Sequence, residues 1–482
     1  MKETAAVFIN PVPGGAGINE ATAYQPLGLA YMAAALEREG FVCAIVDANV
    51  PVLSDDAVLE RLPPSARLVG LHLDSFTYDA VKRLAPRIRA RCPGAAVALG
   101  GALPTAAPEM ALSEIACDGV VRGEGEHAVV ALMRNLASGR PAFDRSVSGA
   151  CFLEKGSDAP VKNPVTRITD LDGLPFPAYH LLPPFTAYKR WIRASPSAPL
   201  ITSRGCAYDC SFCSKDIFER RVTHRSAANV LDEIDLLVKK YGIRQLDILD
   251  DNFIFDRARA EAVFDGLIAR GYELAVNLQG GVRSELVDGL LLDKMKRAGV
   301  YKLAFGIESA DETVLKLARK RLDLGRLEKA ARLAKRKGFL VCGFFIVGLP
   351  GETEEGFNRT LEFARRLDLD VANFCMATPF VGTELYRLIE KNGRFLIDTR
   401  RNISSGFYGG RAFFEYGGMT AGAVAARYRR AYREFYSFGK KLRLFLNIRS
   451  LDELLWFWNI WLMLFKKDSD EKQGKATESD EK

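Results

Sequence analysis

Two runs of alternating apolar strands and amphipathic helices, parted by a proline-rich stretch, constrain this chain most. In the first run, segments 5–10, 42–46, 68–73, 96–99 and 119–122 read as strands, and 27–39, 78–91 and 126–138 as helices. Gly40 ends the first helix. The second run predicts strands at 200–203, 245–249, 274–279, 302–307, 340–347 and 371–377. Helices are expected between them at 227–241, 257–269, 284–298, 311–317, 327–337 and 354–367. Such a rhythm demands parallel sheets covered by helices. The first run therefore predicts an open, doubly wound, Rossmann-like α/β sheet. Its ligands are expected at the carboxyl ends of the strands, in the loops after Asn10, Val46, Leu73 and Leu99. The second run holds six strands, fewer than a closed eight-stranded barrel needs. Between them, Leu174-Pro175-Phe176-Pro177 and Leu182-Pro183-Pro184 mark a connecting segment. A chain of 482 residues is too long for one core. The nine cysteines are odd in number and mostly scattered through apolar stretches, as in a reducing compartment. No apolar run suits a secretory signal or a membrane-spanning helix, so a cytoplasmic location is expected.

Three cysteines break this scatter. Cys206, Cys210 and Cys213 follow a C-x3-C-x2-C spacing, with Phe212 just before the third. Soft thiolates favour zinc, copper(I) or iron–sulfur clusters. A structural zinc site wants four ligands, and the later cysteines, Cys342 and Cys375, are isolated. Three thiolates suit three irons of a cubane and leave the fourth iron open; the other readings are three buried thiols or an incomplete zinc site. The spacing and its aromatic resemble the radical S-adenosylmethionine (SAM) superfamily. That resemblance implies a partial (β/α)6 barrel and a 4Fe-4S cluster held by Cys206, Cys210 and Cys213. It also implies reductive cleavage of SAM to a 5′-deoxyadenosyl radical. Phe212 would pack near the adenine. Asp250, Asp251 and Asn252 match the contact to the methionine amino group, or form a cap cluster before Arg257. Arg283 is a candidate for the SAM carboxylate or a surface ion pair. Glu308 is a ribose or methionine contact or a solvated carboxylate. Gly348, in the turn Ile346–Glu352, would lie near the adenine. An electron donor such as flavodoxin or ferredoxin is implied.

The N-terminal run carries a narrower likeness. Tyr24-Gln25-Pro26-Leu27-Gly28-Leu29-Ala30-Tyr31 resembles the opening of the cobalamin-binding domain fused to radical SAM barrels. So do Leu99-Gly100-Gly101-Ala102-Leu103-Pro104-Thr105 and Val120-Val121-Arg122-Gly123-Glu124-Gly125-Glu126. On this likeness Gly28, Gly100, Gly101, Thr105 and Glu124 are candidate cobalamin contacts. The family is the one often called class B radical SAM methyltransferases. It implies methylation of an unactivated carbon in a lipid or natural-product-like substrate, with cobalamin as methyl carrier. Radical rearrangement, cyclisation and a non-catalytic cobalamin or redox sensor are the alternatives. The Asp-x-His-x-x-Gly signature of cobalt-ligating histidines is absent. Among the four histidines, His72 ends a predicted strand, where it is a lower ligand or a histidine bonded to backbone.

The expected domains are 1–140 (cobalamin-binding), 141–194 (linker), 195–415 (radical SAM core) and 416–465 (helical extension), with a disordered tail at 466–482. Between Arg427 and Arg449 eight basic residues face one acid, Glu434, a surplus equal to the whole chain's +7. The remainder is near neutral, so no nucleic-acid partner is expected. Tyrosines 428, 432 and 436 and tryptophans 456, 458 and 461 accompany this charge. The segment reads as an anchor at the inner membrane surface or as a helix docked on the barrel.

Overall fold

The computed structural model describes residues 4–14, 23–188, 192–407 and 410–446, with 448, 451 and 454 beyond them. In the N-terminal sheet, β1 (Ala6–Asn10), β2 (Cys43–Asp47), β3 (Leu68–His72), β4 (Ala96–Gly100) and β5 (Gly119–Val121) run parallel. The strand order is β2-β1-β3-β4-β5-β6-β7. Strands β6 (Ala150–Leu153) and β7 (Pro160–Lys162) pair antiparallel at the edge. The sheet therefore continues inside the stretch expected to be linker. Helices α1 (Leu27–Arg38), α2 (Asp55–Glu60), α3 (Tyr78–Arg91), α4 (Ala102–Ala106), α5 (Pro108–Glu114) and α6 (Glu126–Ala137) cover its faces. Val7, Ile9, Val69 and Leu71 pack into one layer, and Ala6, Phe8 and Leu68 into the other. Burial on both faces explains why these strands are continuously apolar.

The second sheet has the order β15-β14-β13-β12-β11-β8, an open six-stranded barrel wall. It comprises β8 (Ser197–Leu200), β11 (Gln245–Ile248), β12 (Ala275–Leu278), β13 (Val300–Glu308), β14 (Leu340–Val347) and β15 (Val371–Met376), all parallel. Two short strands, β9 (Ser203–Arg204) and β10 (Thr223–His224), pair beside it. The strand expected at 200–203 ends at Leu200, because Thr202 and Ser203 leave the sheet to bond Asp250. Helices α7 (Ala227–Tyr241), α8 (Arg257–Arg270), α9 (Gly289–Arg297), α10 (Glu312–Leu317), α11 (Leu324–Arg336) and α12 (Glu354–Arg366) follow the strands. The helix expected over 284–298 starts only at Gly289, where the Asp288 carboxylate accepts the Leu291 N–H at 2.9 Å.

Beyond the barrel come α13 (Glu384–Asn392), α14 (Ile403–Phe407), α15 (Ala421–Phe435) and α16 (Phe438–Leu446). Helix α15, the described part of the basic, aromatic segment, docks on the barrel. The Tyr436 hydroxyl receives the Ala372 N–H at 3.1 Å and donates to the Ala372 carbonyl at 2.8 Å. The Tyr432 hydroxyl does the same for Phe374, at 3.3 and 3.1 Å. Four helical residues rise about 6 Å, close to the ~6.6 Å spanned by two strand residues. Tyrosines four apart thus satisfy alternate residues of edge strand β15, a task a further strand would otherwise perform. Arg427 and Arg430 pair with Glu352 and Glu354 beneath the helix. The tryptophans at 456, 458 and 461 and the tail at 466–482 lie outside the described residues. Among those described, no helix is long and apolar enough to cross a membrane.

Candidate cofactor sites

The cysteine loop hangs between two fixed points. Asp250, 3% exposed at the end of β11, accepts the Thr202 N–H at 2.6 Å, the Thr202 hydroxyl at 2.5 Å and the Ser203 hydroxyl at 2.6 Å. These bonds hold the chain just before Cys206. Downstream, the Ser211 N–H donates to the Ala318 carbonyl and the Ser211 carbonyl accepts the Leu385 N–H, both at 2.9 Å. Gly205 has φ +90°, and a Cβ there would stand 2.1 Å from the Arg221 carbonyl oxygen, so no other residue fits before Cys206. The three thiols lie near enough to influence one another electrostatically. Cys213 is exposed as a residue, yet its thiol sits in the loop's crevice. Desolvation there, joined by the charge of Asp251 and of the other two thiols, pushes it up to about 11. A soft metal centre binds the thiolate form and would ionise such a thiol. Among the described residues no three His, Cys, Asp or Glu side chains converge as one ion requires. A cubane offers separate corners, so its thiolates need not converge.

The expected SAM contacts divide by environment. Asp250 is spent on the strand ends. Asp251 faces Cys213. Asn252 is only 5% exposed, and neither its amide nitrogen nor its amide oxygen meets a protein partner. A buried amide without partners is costly, which makes Asn252 a candidate contact for a polar ligand. Arg283 stacks on Tyr208 of the cysteine loop, its guanidinium 4.0 Å from the ring centroid, and pairs with Glu285 at 2.5 Å. Glu308 has φ +63° beside a register shift at the end of β13, and it pairs with Lys320 at 2.9 Å. A non-glycine residue in that region is strained, a feature that clusters at functional sites. Phe212 is half-buried against the barrel core. A Cβ on Gly348 would meet Val424 of α15 at 2.9 Å, so the glycine lets that helix close down on the turn.

In the N-terminal domain the strand order reverses between β1 and β3, the point where doubly wound sheets bind ligands. A cavity of about 430 Å³ opens there, within the ~300–1,000 Å³ usual for cofactor sites. Gly28, Gly70, Gly100, Gly101, Gly123 and Gly125 line it, together with His72. A Cβ on Gly28 or Gly100 would meet nothing within 4 Å, so both keep open space. Ile201, Arg204, Ile217 and Phe218 of the barrel domain close the far wall. Of two further expected contacts, Glu124 lines the cavity and Thr105 does not. Thr105 is absent from the lining; its hydroxyl donates to the Gly101 carbonyl at 2.7 Å and accepts the Gly123 N–H at 3.1 Å, tying two loops together. Glu124 accepts from Arg204 at 2.6 Å and from the Ile168 N–H at 2.8 Å.

Arg204, just ahead of Gly205-Cys206, went unnoticed in the sequence. Its guanidinium bridges Glu124 and Glu126, the latter at 2.5 Å, and lies 5.3 Å from the Tyr31 ring centroid. This buried clamp joins the glycine cavity to the cysteine loop.

The Radical SAM superfamily model matches residues 200–364 and the B12 binding domain model residues 16–133. An uncharacterized methyltransferase of Pyrococcus horikoshii is 33% identical over 381 residues, 77% of this chain and 80% of that protein. The chain belongs to the cobalamin-binding radical SAM family. As a cobalamin-binding radical SAM protein it is an enzyme whose cofactors are a 4Fe-4S cluster, SAM and cobalamin. The three thiols, the unpartnered Asn252 amide and the glycine-lined cavity fit these groups in turn. Other relatives in the family differ in chemistry. Cytidylyl-2-hydroxyethylphosphonate methyltransferase of Streptomyces wedmorensis is 30% identical over 76% of this chain and 78% of its own. Anaerobic magnesium-protoporphyrin IX monomethyl ester cyclase of Rubrivivax gelatinosus is 28% identical over 79% and 69%. The fold matches that of the radical SAM methyltransferase TsrM from Kitasatospora setae, with a TM-score of 0.72 and 16% identity over 97% of this chain and 100% of that one.

Proposed function

We propose that this enzyme methylates an unactivated carbon of an apolar, lipid-like or natural-product-like small molecule. The observation that carries the reading is the shared wall: barrel residues Ile201, Arg204, Ile217 and Phe218 complete the cavity of the N-terminal domain. Arg204 of that wall stands two residues ahead of Cys206, which supports a cluster site next to the cobalamin cavity. When bound, the cluster and SAM supply the radical and cobalamin the methyl group. The chain's own part is positional. Asp250 fixes the strand end that presents the cysteine loop, and Arg204 fixes that loop against the cavity. Cys206, Cys210 and Cys213 hold the cluster. Asn252, Asp251, Arg283 and Glu308 are proposed to hold SAM, with Phe212 beside it. Gly28, Gly100 and Gly101 make room for cobalamin. A one-electron donor of the flavodoxin or ferredoxin type is expected. Two methyltransferases among the relatives support the reading, and the cyclase relative supports a second one, radical cyclisation.

The test uses anaerobically purified protein with its cluster reconstituted and hydroxocobalamin supplied, given SAM and dithionite. Formation of both 5′-deoxyadenosine and S-adenosylhomocysteine is expected, with label from methyl-labelled SAM passing to product. Deoxyadenosine without S-adenosylhomocysteine would sink methyl transfer and leave cyclisation.

A further inference from the structure

One side chain in the glycine cavity has no role so far. His72 ends β3, beside the point where the sheet reverses, and it lines the cavity. The other histidines lie elsewhere: His127 is exposed on α6, His180 pairs with Glu37, and His224 sits in β10. The His72 ring is not bonded to backbone. Its Nε2 lies 3.4 Å from Oδ2 of Asp74. That carboxylate is firmly held: Oδ1 accepts the N–H groups of Phe76 and Thr77, each at 2.8 Å, and the Thr77 hydroxyl at 3.1 Å.

With the Asp74 oxygen 3.4 Å from Nε2, the tautomer that donates from Nε2 leaves the lone pair on Nδ1. Nδ1 meets no partner among the described residues. Beside it is Gly101, at φ +129°; a Cβ there would stand 3.2 Å from both Nδ1 and Cε1. The same Cβ would stand 2.5 Å from the Leu73 carbonyl oxygen, so only glycine fits this close to the ring. One nitrogen on a carboxylate with the other free toward a cofactor cavity is how metal-binding histidines are held. We propose that His72 is an axial ligand to the cobalt of bound cobalamin through Nδ1, with Asp74 as its positioning residue. The inference rests on cobalamin occupying this cavity. His-x-Asp here would do, in reverse chain order, the work of the missing Asp-x-His-x-x-Gly signature.

The experiment is electron paramagnetic resonance of the full chain loaded with hydroxocobalamin, reduced to cobalt(II), with the cluster oxidised. The unpaired electron couples to an axial nitrogen. Protein made with ordinary histidine should give triplet splitting. Protein made with histidine carrying the spin-one-half nitrogen isotope should give doublets. A triplet that survives labelling would assign the ligand to the cofactor's own base, and unsplit lines would mean no nitrogen ligand; either overturns the proposal. Failure to retain cobalamin, read by absorption, would remove the site as well. His72→Ala should retain cobalamin and lose the doublet. Asp74→Asn keeps acceptors for Phe76 and Thr77, so it should keep the doublet while moving the cobalt(II)/cobalt(I) potential upward. An unmoved potential would remove Asp74 from the proposal.

Discussion

At the residue scale, the run Asp250-Asp251-Asn252 shows how three adjacent polar residues take separate tasks. Sequence offers them as one cluster, since each type suits a SAM contact or a helix cap. The fold assigns Asp250 to Thr202, 48 residues upstream, and leaves the Asn252 amide buried and unpartnered. That partner is invisible until the strands are placed. The cysteines are legible because their spacing is local; the packing of Gly348 against Val424 is not, because that neighbour is distant in the chain. Asn252→Leu removes a buried polar group that meets no partner in the protein. Its thermal midpoint should equal or exceed that of the parent. Its SAM affinity should fall at least about tenfold, as loss of a hydrogen bond of roughly 1.5–3 kcal/mol to a charged group requires. Equal SAM affinity by calorimetry would reject the contact. Cys213→Ala should keep the fold, hold less iron on reconstitution and form no deoxyadenosine above background.

At the element scale, α15 carries the clearest physical lesson. Its tyrosines and arginines have the composition of an interfacial helix, and composition alone left both readings open. What docks α15 is the match of four helical residues to two strand residues, and β15 lies some sixty residues away. Strands β6 and β7 escaped notice for another reason: both are short, and Leu153 and Lys162 are exposed, so no clear apolar alternation marks them. Tyr436→Phe strips the Ala372 N–H of its partner and should cost about 1–3 kcal/mol. Hydrogen exchange at Ala372 should quicken, and unchanged exchange would show that the tyrosine is not what caps the edge. Beneath the helix, burial pushes the Glu352 carboxyl from 4.5 up to about 7, against the pull of Arg427 and the Gly348 N–H. With the folded value above the unfolded one, the protonated carboxyl stabilises the fold fully below pH 4.5, and that stability is lost as pH rises toward 7. The loss is on the order of 3 kcal/mol. Glu352→Gln, neutral throughout, should therefore run level with the parent protein in thermal midpoint below pH 4.5, gain on it across this window and stay ahead by a fixed margin above. A constant gap would mean that the carboxylate is ionised throughout.

At the scale of the whole molecule, both sheets were readable from the βα rhythm, but their mutual placement was not. Arg204, Glu124 and Glu126 meet from opposite domains, and no spacing rule connects positions about 80 residues apart. The triad is buried, with side-chain exposures of 9%, 3% and 6%. Buried ion networks often contribute little net stability, yet removing one member strands the others. Arg204→Met should thus cost about 3–5 kcal/mol, since two carboxylates remain without their partner. Replacing all three, as Arg204→Met with Glu124→Gln and Glu126→Gln, should recover most of that stability. The two outcomes to compare are then chemical. A clamp that only holds the domains together would give a triple variant with the parent's ratio of S-adenosylhomocysteine to deoxyadenosine. A clamp that sets the cysteine loop against the cobalamin cavity gives a variant that still cleaves SAM but transfers methyl poorly. A displacement of about 1 Å can cost about a hundredfold in such a transfer. The second outcome is the one expected, because Arg204 is separated from Cys206 by Gly205 alone and any shift of its guanidinium passes directly into the loop.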